Sequence, residues 1–159
     1  MRIRIVVADQ TEARFFDTER EASELSLAGQ ISDPAGRLHE RDLKSDRPGR
    51  KFDRAPLQAG RRGATAHHGV GSEPNARRHE AAVFARRIAA ELASAQRRGG
   101  FDRLVIMAPP AFLGTLRSAL SATVRKCVAA EIAKDLVHET PGAVRTYLPA
   151  QTFQTLSGT

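Results

Sequence analysis

Basic side chains are concentrated in one stretch of the sequence, and their chemistry is that of phosphate binding. Between residues 44 and 78, nine basic residues stand against three acidic ones, in a chain of 159 residues with a net charge of +7. Lysine and arginine displace counterions from a polyanion, which gives affinity without sequence preference. This basic segment therefore predicts a surface for RNA or the ribosome, or for an acidic protein. The alternative is a solvated segment that binds nothing. Its basic residues are Lys44, Arg47, Arg50, Lys51, Arg54, Arg61, Arg62, Arg77 and Arg78.

Carboxylates at strand ends offer a second kind of chemistry. Asp9 follows an apolar stretch, and together with Glu12, Glu131 and Asp135 it could form the metal-binding cluster of a two-metal nuclease. Such a cluster requires three or four acids to converge on one cation. The more common role of an aspartate in this position is to hold a turn.

Histidine and cysteine give weaker signals. His39, His67, His68 and His79 could ligate zinc, copper or nickel, but adjacent histidines diverge in most backbones, and we predict exposed histidines instead. Cys127 is the single cysteine, which excludes an intrachain disulfide and a cysteine-based zinc site. We interpret it as a buried, inert thiol. We predict no catalytic residue, no metal and no cofactor, and a binding protein is favoured over an enzyme.

The elements that must position these residues change in type along the chain. The first part predicts three strands with short connections, at residues 2–8, 13–18 and 25–31, and hence an antiparallel meander. The second part predicts helix, strand, helix, strand and helix in that order: 75–98, 103–108, 111–122, 124–136 and 140–148. Strands that alternate with helices pair in parallel.

We therefore predict one α/β domain over residues 1–149. The domain has three layers with a mixed sheet as the central one. In this sheet a three-strand antiparallel meander joins a parallel βαβ half. A long basic loop spans residues 35–75, since glycine and proline interrupt every pattern there, and the first long helix begins near Ser72 or Asn75. Residues 150–159 form a polar tail.

Composition limits the class of protein. Hydrophobic residues make up 41% of the chain and charged residues 27%, which argues against a disordered protein. No apolar run approaches the ~18 residues that a membrane span needs, and the start lacks the pattern of a secretory signal. We expect a soluble, cytoplasmic protein. Ala108-Pro109-Pro110 ends a predicted strand, where it starts the next helix or, alternatively, borders a ligand crevice.

Several short motifs in a fixed order resemble a known family. They are VVAD at 6–9, ARFF at 13–16, GRKF at 49–52, LVIMAPP at 104–110 and EIAKDL at 131–136. Their order and spacing over nearly the whole chain resemble the bacterial family called "protein required for attachment to host cells". No single motif carries the likeness; the set does.

This resemblance implies a fold as well as a role. The family is similar to the middle domain of eukaryotic and archaeal peptide-release factors, which implies a ribonuclease-H-like, release-factor-like fold with a functional loop before the first long helix. Release factors carry Gly-Gly-Gln in that loop, whereas here Gln58 is followed by Ala59 and Gly60. Peptidyl-tRNA hydrolysis is therefore not implied. The expected function is RNA or ribosome binding; the alternatives are a metal-dependent hydrolase using Asp9 and Asp135, and a protein-interaction factor.

Overall fold

A five-stranded mixed sheet forms the centre of the protein, with the strand order β3-β2-β1-β4-β5. The computed structural model describes residues 1–33 and 63–154, and for residues 63–73 the backbone only. The strands are β1 (Ile3–Ala8), β2 (Glu12–Thr18), β3 (Ser26–Ser32), β4 (Arg103–Ala108) and β5 (Val128–Ala133).

The pairing of the strands follows from the lengths of their connections. β1 pairs antiparallel with β2, and β2 pairs antiparallel with β3, because short turns join them. β1 pairs in parallel with β4, and β4 with β5, because helical connections return the chain to the same end of the sheet. The predicted α/β class, with a meander joined to a parallel half, is confirmed.

The helices are α1 (Gly63–Arg97), α2 (Pro110–Ala119), α3 (Ala122–Arg125) and α4 (Pro141–Arg145), followed by a 3-10 turn at Ala150–Phe153. Thr140 accepts a hydrogen bond from the backbone N–H of Ala143 and caps α4, as its position before Pro141 predicts. Among the described residues, no helix has the length and apolar character needed to cross a membrane.

Helix α1 begins earlier than the sequence predicts. A start at Ser72 or Asn75 was expected, but the helix begins at Gly63 and Pro74 lies within it. The predicted loop over 35–75 is therefore wrong for residues 63–75, and residues 34–62 lie outside the described part of the chain. Glycine costs a helix about 1 kcal/mol and proline about 3 kcal/mol. These costs can be met because helix growth is cooperative and the later turns of α1 are anchored in the core.

The end of α1 agrees with the sequence. Gly99 has a φ of 71°, a left-handed conformation that glycine adopts without strain. The N–H of Gly100 donates to the carbonyl of Ala95 at 2.8 Å, which closes the last turn. A Cβ on Gly100 would lie 2.9 Å from that same oxygen, so both glycines have a structural role.

The region before β5 differs from the prediction. A helix over 111–122 and a strand over 124–136 were expected. Instead, Ser121 accepts a hydrogen bond from the N–H of Val124 and starts α3, so that β5 begins only at Val128. Val124 is fully buried against the helical side of the sheet, which favours this local helix over a longer strand.

Each face of the sheet carries its own apolar core. On one face, α1 and α2 bury Phe84, Ile88, Leu92, Phe112 and Leu116 against the strands. On the other, the segments before β3 and after β5 bury Leu25, Leu136, Val137 and Val144 against the remaining strand side chains. Covering on both faces explains why β1 is apolar from Ile5 to Ala8 and β4 from Leu104 to Ala108.

Candidate functional site

A crevice of ≈ 440 Å³ lies at the carboxyl ends of the parallel strands. Three strand ends contribute to its lining: Asp9 and Gln10 follow β1, Pro109 follows β4, and Asp135 follows β5. In open α/β sheets, ligands bind outside the carboxyl ends of strands whose connections leave in opposite directions. β1 leads to β2 on one side, whereas β4 leads to β5 on the other, so the crevice occupies such a position.

Helices α1 and α2 form the walls of this crevice. α1 contributes Arg77, Arg78 and Ala81, and the start of α2 contributes Ala111, Phe112 and Thr115. Phe112 is 5% exposed and its ring stacks with that of Phe84 at 6.2 Å, so this wall is held from behind by the core. No side chain caps α2, and the first N–H groups of a helix have no intrahelical acceptor.

Asp9 holds the turn between β1 and β2. Its Oδ1 accepts hydrogen bonds from the N–H groups of Thr11 and Glu12, both at 2.8 Å, and from the hydroxyl of Thr11 at 3.0 Å. The role as a turn residue is therefore confirmed. It also fixes the carboxylate at the edge of the crevice.

We expect Asp9→Ala to lower the free energy of unfolding by about 2 kcal/mol. The backbone N–H groups of Thr11 and Glu12 and the hydroxyl of Thr11 would lose their hydrogen-bond acceptor. Asp9→Asn keeps a side-chain oxygen that accepts the same bonds, so it should cost less than half as much. Urea unfolding of both variants measures the difference. Equal losses in the two variants would show that the charge of Asp9, and not its turn, stabilises the protein.

The four acids considered for metal binding do not all converge. Asp9 and Asp135 line the same crevice. Glu131 instead pairs with Arg117, whose pKa it raises by accepting its hydrogen bonds. Glu12 is 8% exposed and accepts from the Nε2 of Gln30 at 2.7 Å. In the described ranges, no group of three His, Cys, Asp or Glu residues could hold a metal ion.

Of the nine predicted binding residues, the structure places Arg77 and Arg78. Both are exposed on α1 and both border the crevice. Neither belongs to an ion pair between described residues; those pairs join Arg4 to Asp17, Arg117 to Glu131, and His138 to Glu12. The following seven lie outside the described part of the chain: Lys44, Arg47, Arg50, Lys51, Arg54, Arg61 and Arg62.

Of the remaining candidates, those whose side chains the structure describes do not line the crevice. The side chains of His39, His67 and His68 lie outside the described residues, and His79 is exposed on α1. Cys127 is half-buried just before β5, and burial raises the pKa of its thiol, which keeps it protonated and unreactive at neutral pH. The interpretation as an inert thiol agrees with this environment.

For Ala108-Pro109-Pro110, the sequence favours helix initiation over a position at a ligand crevice. The structure shows both, since Pro110 starts α2 and Pro109 lines the crevice. The parallel strand ends were a usable signal for the meeting of Asp9 and Asp135. The placement of Arg77 and Arg78 beside them had no such signal, because it depends on where α1 crosses the sheet.

Comparison with known proteins gives a match to a family model and a weak structural similarity. A family model described as "Protein required for attachment to host cells" matches residues 4–148. No curated protein matches the chain. The crystal structure of the archaeal translation termination factor aRF1 is similar over 82% of this chain and 29% of that chain, with 11% sequence identity and a TM-score of 0.42. The present chain therefore spans less than a third of that protein's length.

Proposed function

We propose that this chain, which belongs to the family of proteins required for attachment to host cells, is a non-enzymatic module that binds RNA or the ribosome. The observation that carries the proposal is the charge of the basic segment 44–78. Its nine basic and three acidic residues give it a net charge of +6, whereas the net charge of the whole chain is +7. Charge concentrated in one segment acts as a binding surface, whereas the same charge spread over a domain serves solubility.

Arg77 and Arg78 support this proposal from the described part of the chain. They are exposed at the edge of the crevice, on a helix that is anchored by Phe84 and Ile88 in the core. Guanidinium groups on a rigid element lose less conformational freedom on binding than groups on a flexible one. These two arginines therefore present positive charge from an anchored helix at the edge of the crevice.

Aromatic residues are scarce in the basic segment, where Phe52 is the only one. Base stacking then contributes little, and the affinity for RNA comes mainly from phosphate contacts. The proposed binding is accordingly indifferent to RNA sequence and sensitive to salt.

We expect the affinity for a 20-nucleotide single-stranded RNA to fall about a hundredfold between 50 and 200 mM KCl, as four to five phosphate contacts require. Fluorescence anisotropy across a salt series measures this slope, and co-sedimentation with ribosomes at the same salt concentrations extends it. A salt-independent affinity would contradict the proposal, as would the absence of binding to both RNA and ribosomes at 50 mM.

An RNA cleavage assay and a pull-down separate this proposal from its two alternatives. A hydrolase that uses Asp9 and Asp135, which line one crevice, would shorten the RNA when Mg²⁺ or Mn²⁺ is added, whereas a binding module returns it intact. A protein-interaction factor would retain its partners in a pull-down after nuclease treatment. An RNA-binding module would lose them.

A further inference from the structure

We propose that the crevice at the carboxyl edge of the sheet binds a nucleoside monophosphate, with its phosphate at Arg77 and Arg78 and its hydroxyl or amino donors at Asp9 and Asp135. This inference goes beyond the proposed function, because it requires neither residues 44–62 nor a polymeric ligand. It rests on the composition and placement of the crevice lining.

The lining carries charges of both signs on different elements, and we call the two arginines its positive pole and the two carboxylates its negative pole. α1 supplies the two guanidinium groups, while the ends of β1 and β5 supply the two carboxylates. A simple anion such as free phosphate is attracted by the guanidinium groups and repelled by the carboxylates. A simple cation is attracted by the carboxylates and repelled by the guanidinium groups. A ligand that satisfies both poles must carry an anionic group at one end and neutral or cationic hydrogen-bond donors at the other.

The pair of arginines favours phosphate as the anionic group. Adjacent residues on a helix point about 100° apart, yet both Arg77 and Arg78 border the crevice, so they can approach one group from two sides. Phosphate monoesters carry a charge near −2 at neutral pH and offer three acceptor oxygens. A single carboxylate offers two oxygens and one charge, which leaves one guanidinium without a full partner.

The carboxylates and the apolar wall favour a sugar and a base at the other end. Carboxylates at strand ends accept hydrogen bonds from ribose hydroxyls in nucleotide-binding α/β folds. Asp9 can do so through a carboxylate that the turn already orients. Ala81, Pro109 and Phe112 add an apolar surface against which a base can lie, and ≈ 440 Å³ is within the range of small-ligand sites.

Isothermal titration calorimetry of the full chain tests this assignment. The ligands are AMP and UMP and, separately, adenosine, inorganic phosphate and leucine, which offers a carboxylate in place of the phosphate. We expect at least one nucleotide to bind at least about tenfold more tightly than either adenosine or phosphate alone, because each of those satisfies one pole. Arg77→Gln with Arg78→Gln should weaken nucleotide binding at least about tenfold, the loss expected for charge-assisted hydrogen bonds. The matched control is Arg97→Gln with Arg98→Gln, which removes the same charge from exposed positions at the other end of α1 and should leave binding unchanged.

Asp135→Asn gives an independent readout, because Asp135 is exposed and its replacement leaves the core intact. We expect it to weaken nucleotide binding severalfold while leaving the affinity for inorganic phosphate unchanged or higher. The inference is overturned if neither nucleotide binds, if leucine binds more tightly than both, or if the two arginine double variants lose binding equally. The combined variant Arg50→Glu, Lys51→Glu, Arg61→Glu and Arg62→Glu should keep its affinity for the nucleotide even if it no longer binds RNA. Failure of one proposal is therefore recognised separately from failure of the other.

Discussion

Reversing the charge of four basic residues will lower the affinity for RNA about a hundredfold or more at 50 mM KCl. Each reversal removes a phosphate contact and adds a repulsive one, so the salt dependence of binding should become shallow as well. Fluorescence anisotropy with the single-stranded RNA measures both changes. The substituted residues are Arg50, Lys51, Arg61 and Arg62, each replaced by glutamate.

A second variant with an identical change in net charge is the control for this prediction. It carries glutamate at four exposed basic positions outside the basic segment, namely Arg20, Arg97, Arg98 and Lys126. We expect this variant to lose less than about tenfold in affinity, through the weaker long-range field alone. If both variants lose the same affinity, binding follows net charge and the assignment to the basic segment is wrong.

Phe84→Ala will lower the free energy of unfolding by about 4 kcal/mol. Phe84 is 1% exposed, stacks with Phe112 and lies under the guanidinium of Arg87 at 5.6 Å from the ring centre. Its removal leaves a cavity between α1 and α2, and it also releases the wall of the crevice behind Phe112. Urea unfolding followed by circular dichroism measures the loss, and nucleotide affinity should fall in the same variant.

The neighbouring residue offers a matched control. Val83 is on the same helix turn but is 43% exposed, so Val83→Ala removes methyl groups that the core does not use. Alanine also has the higher helix propensity, and we expect a change within about 0.5 kcal/mol. A large loss in Val83→Ala would mean that another surface covers this side of α1.

The order and pairing of the strands were predictable because burial and short turns leave patterns within a few neighbouring residues. The apolar runs in the second half of β1 and through most of β4 indicated strands covered on both faces, and the short turn at Asp9 indicated the antiparallel partner. Helix boundaries were less predictable. Pro74 and its neighbouring glycines indicated a break, whereas the core contacts of the later turns support α1 through them.

The candidate site was predictable in part for a similar reason. Parallel strands bring their carboxyl ends to one edge of the sheet, so the placement of Asp9 and Asp135 at the same crevice follows from topology. Arg77 and Arg78 reach that edge because α1 packs across α2 through Phe84 and Phe112. That packing depends on side-chain shape over residues far apart in the sequence, which no local pattern contains.

The central position of β1 has a consequence for the order in which the chain can fold. Ile3 pairs with Arg103, so the partner of one edge of β1 is synthesised long after β1 and β2 have left the ribosome. Closing so long an interval of chain is slow compared with forming a hairpin. Until β4 arrives, the nascent meander has an apolar edge with unpaired backbone groups, which is the kind of surface that chaperones bind and that aggregates when they do not.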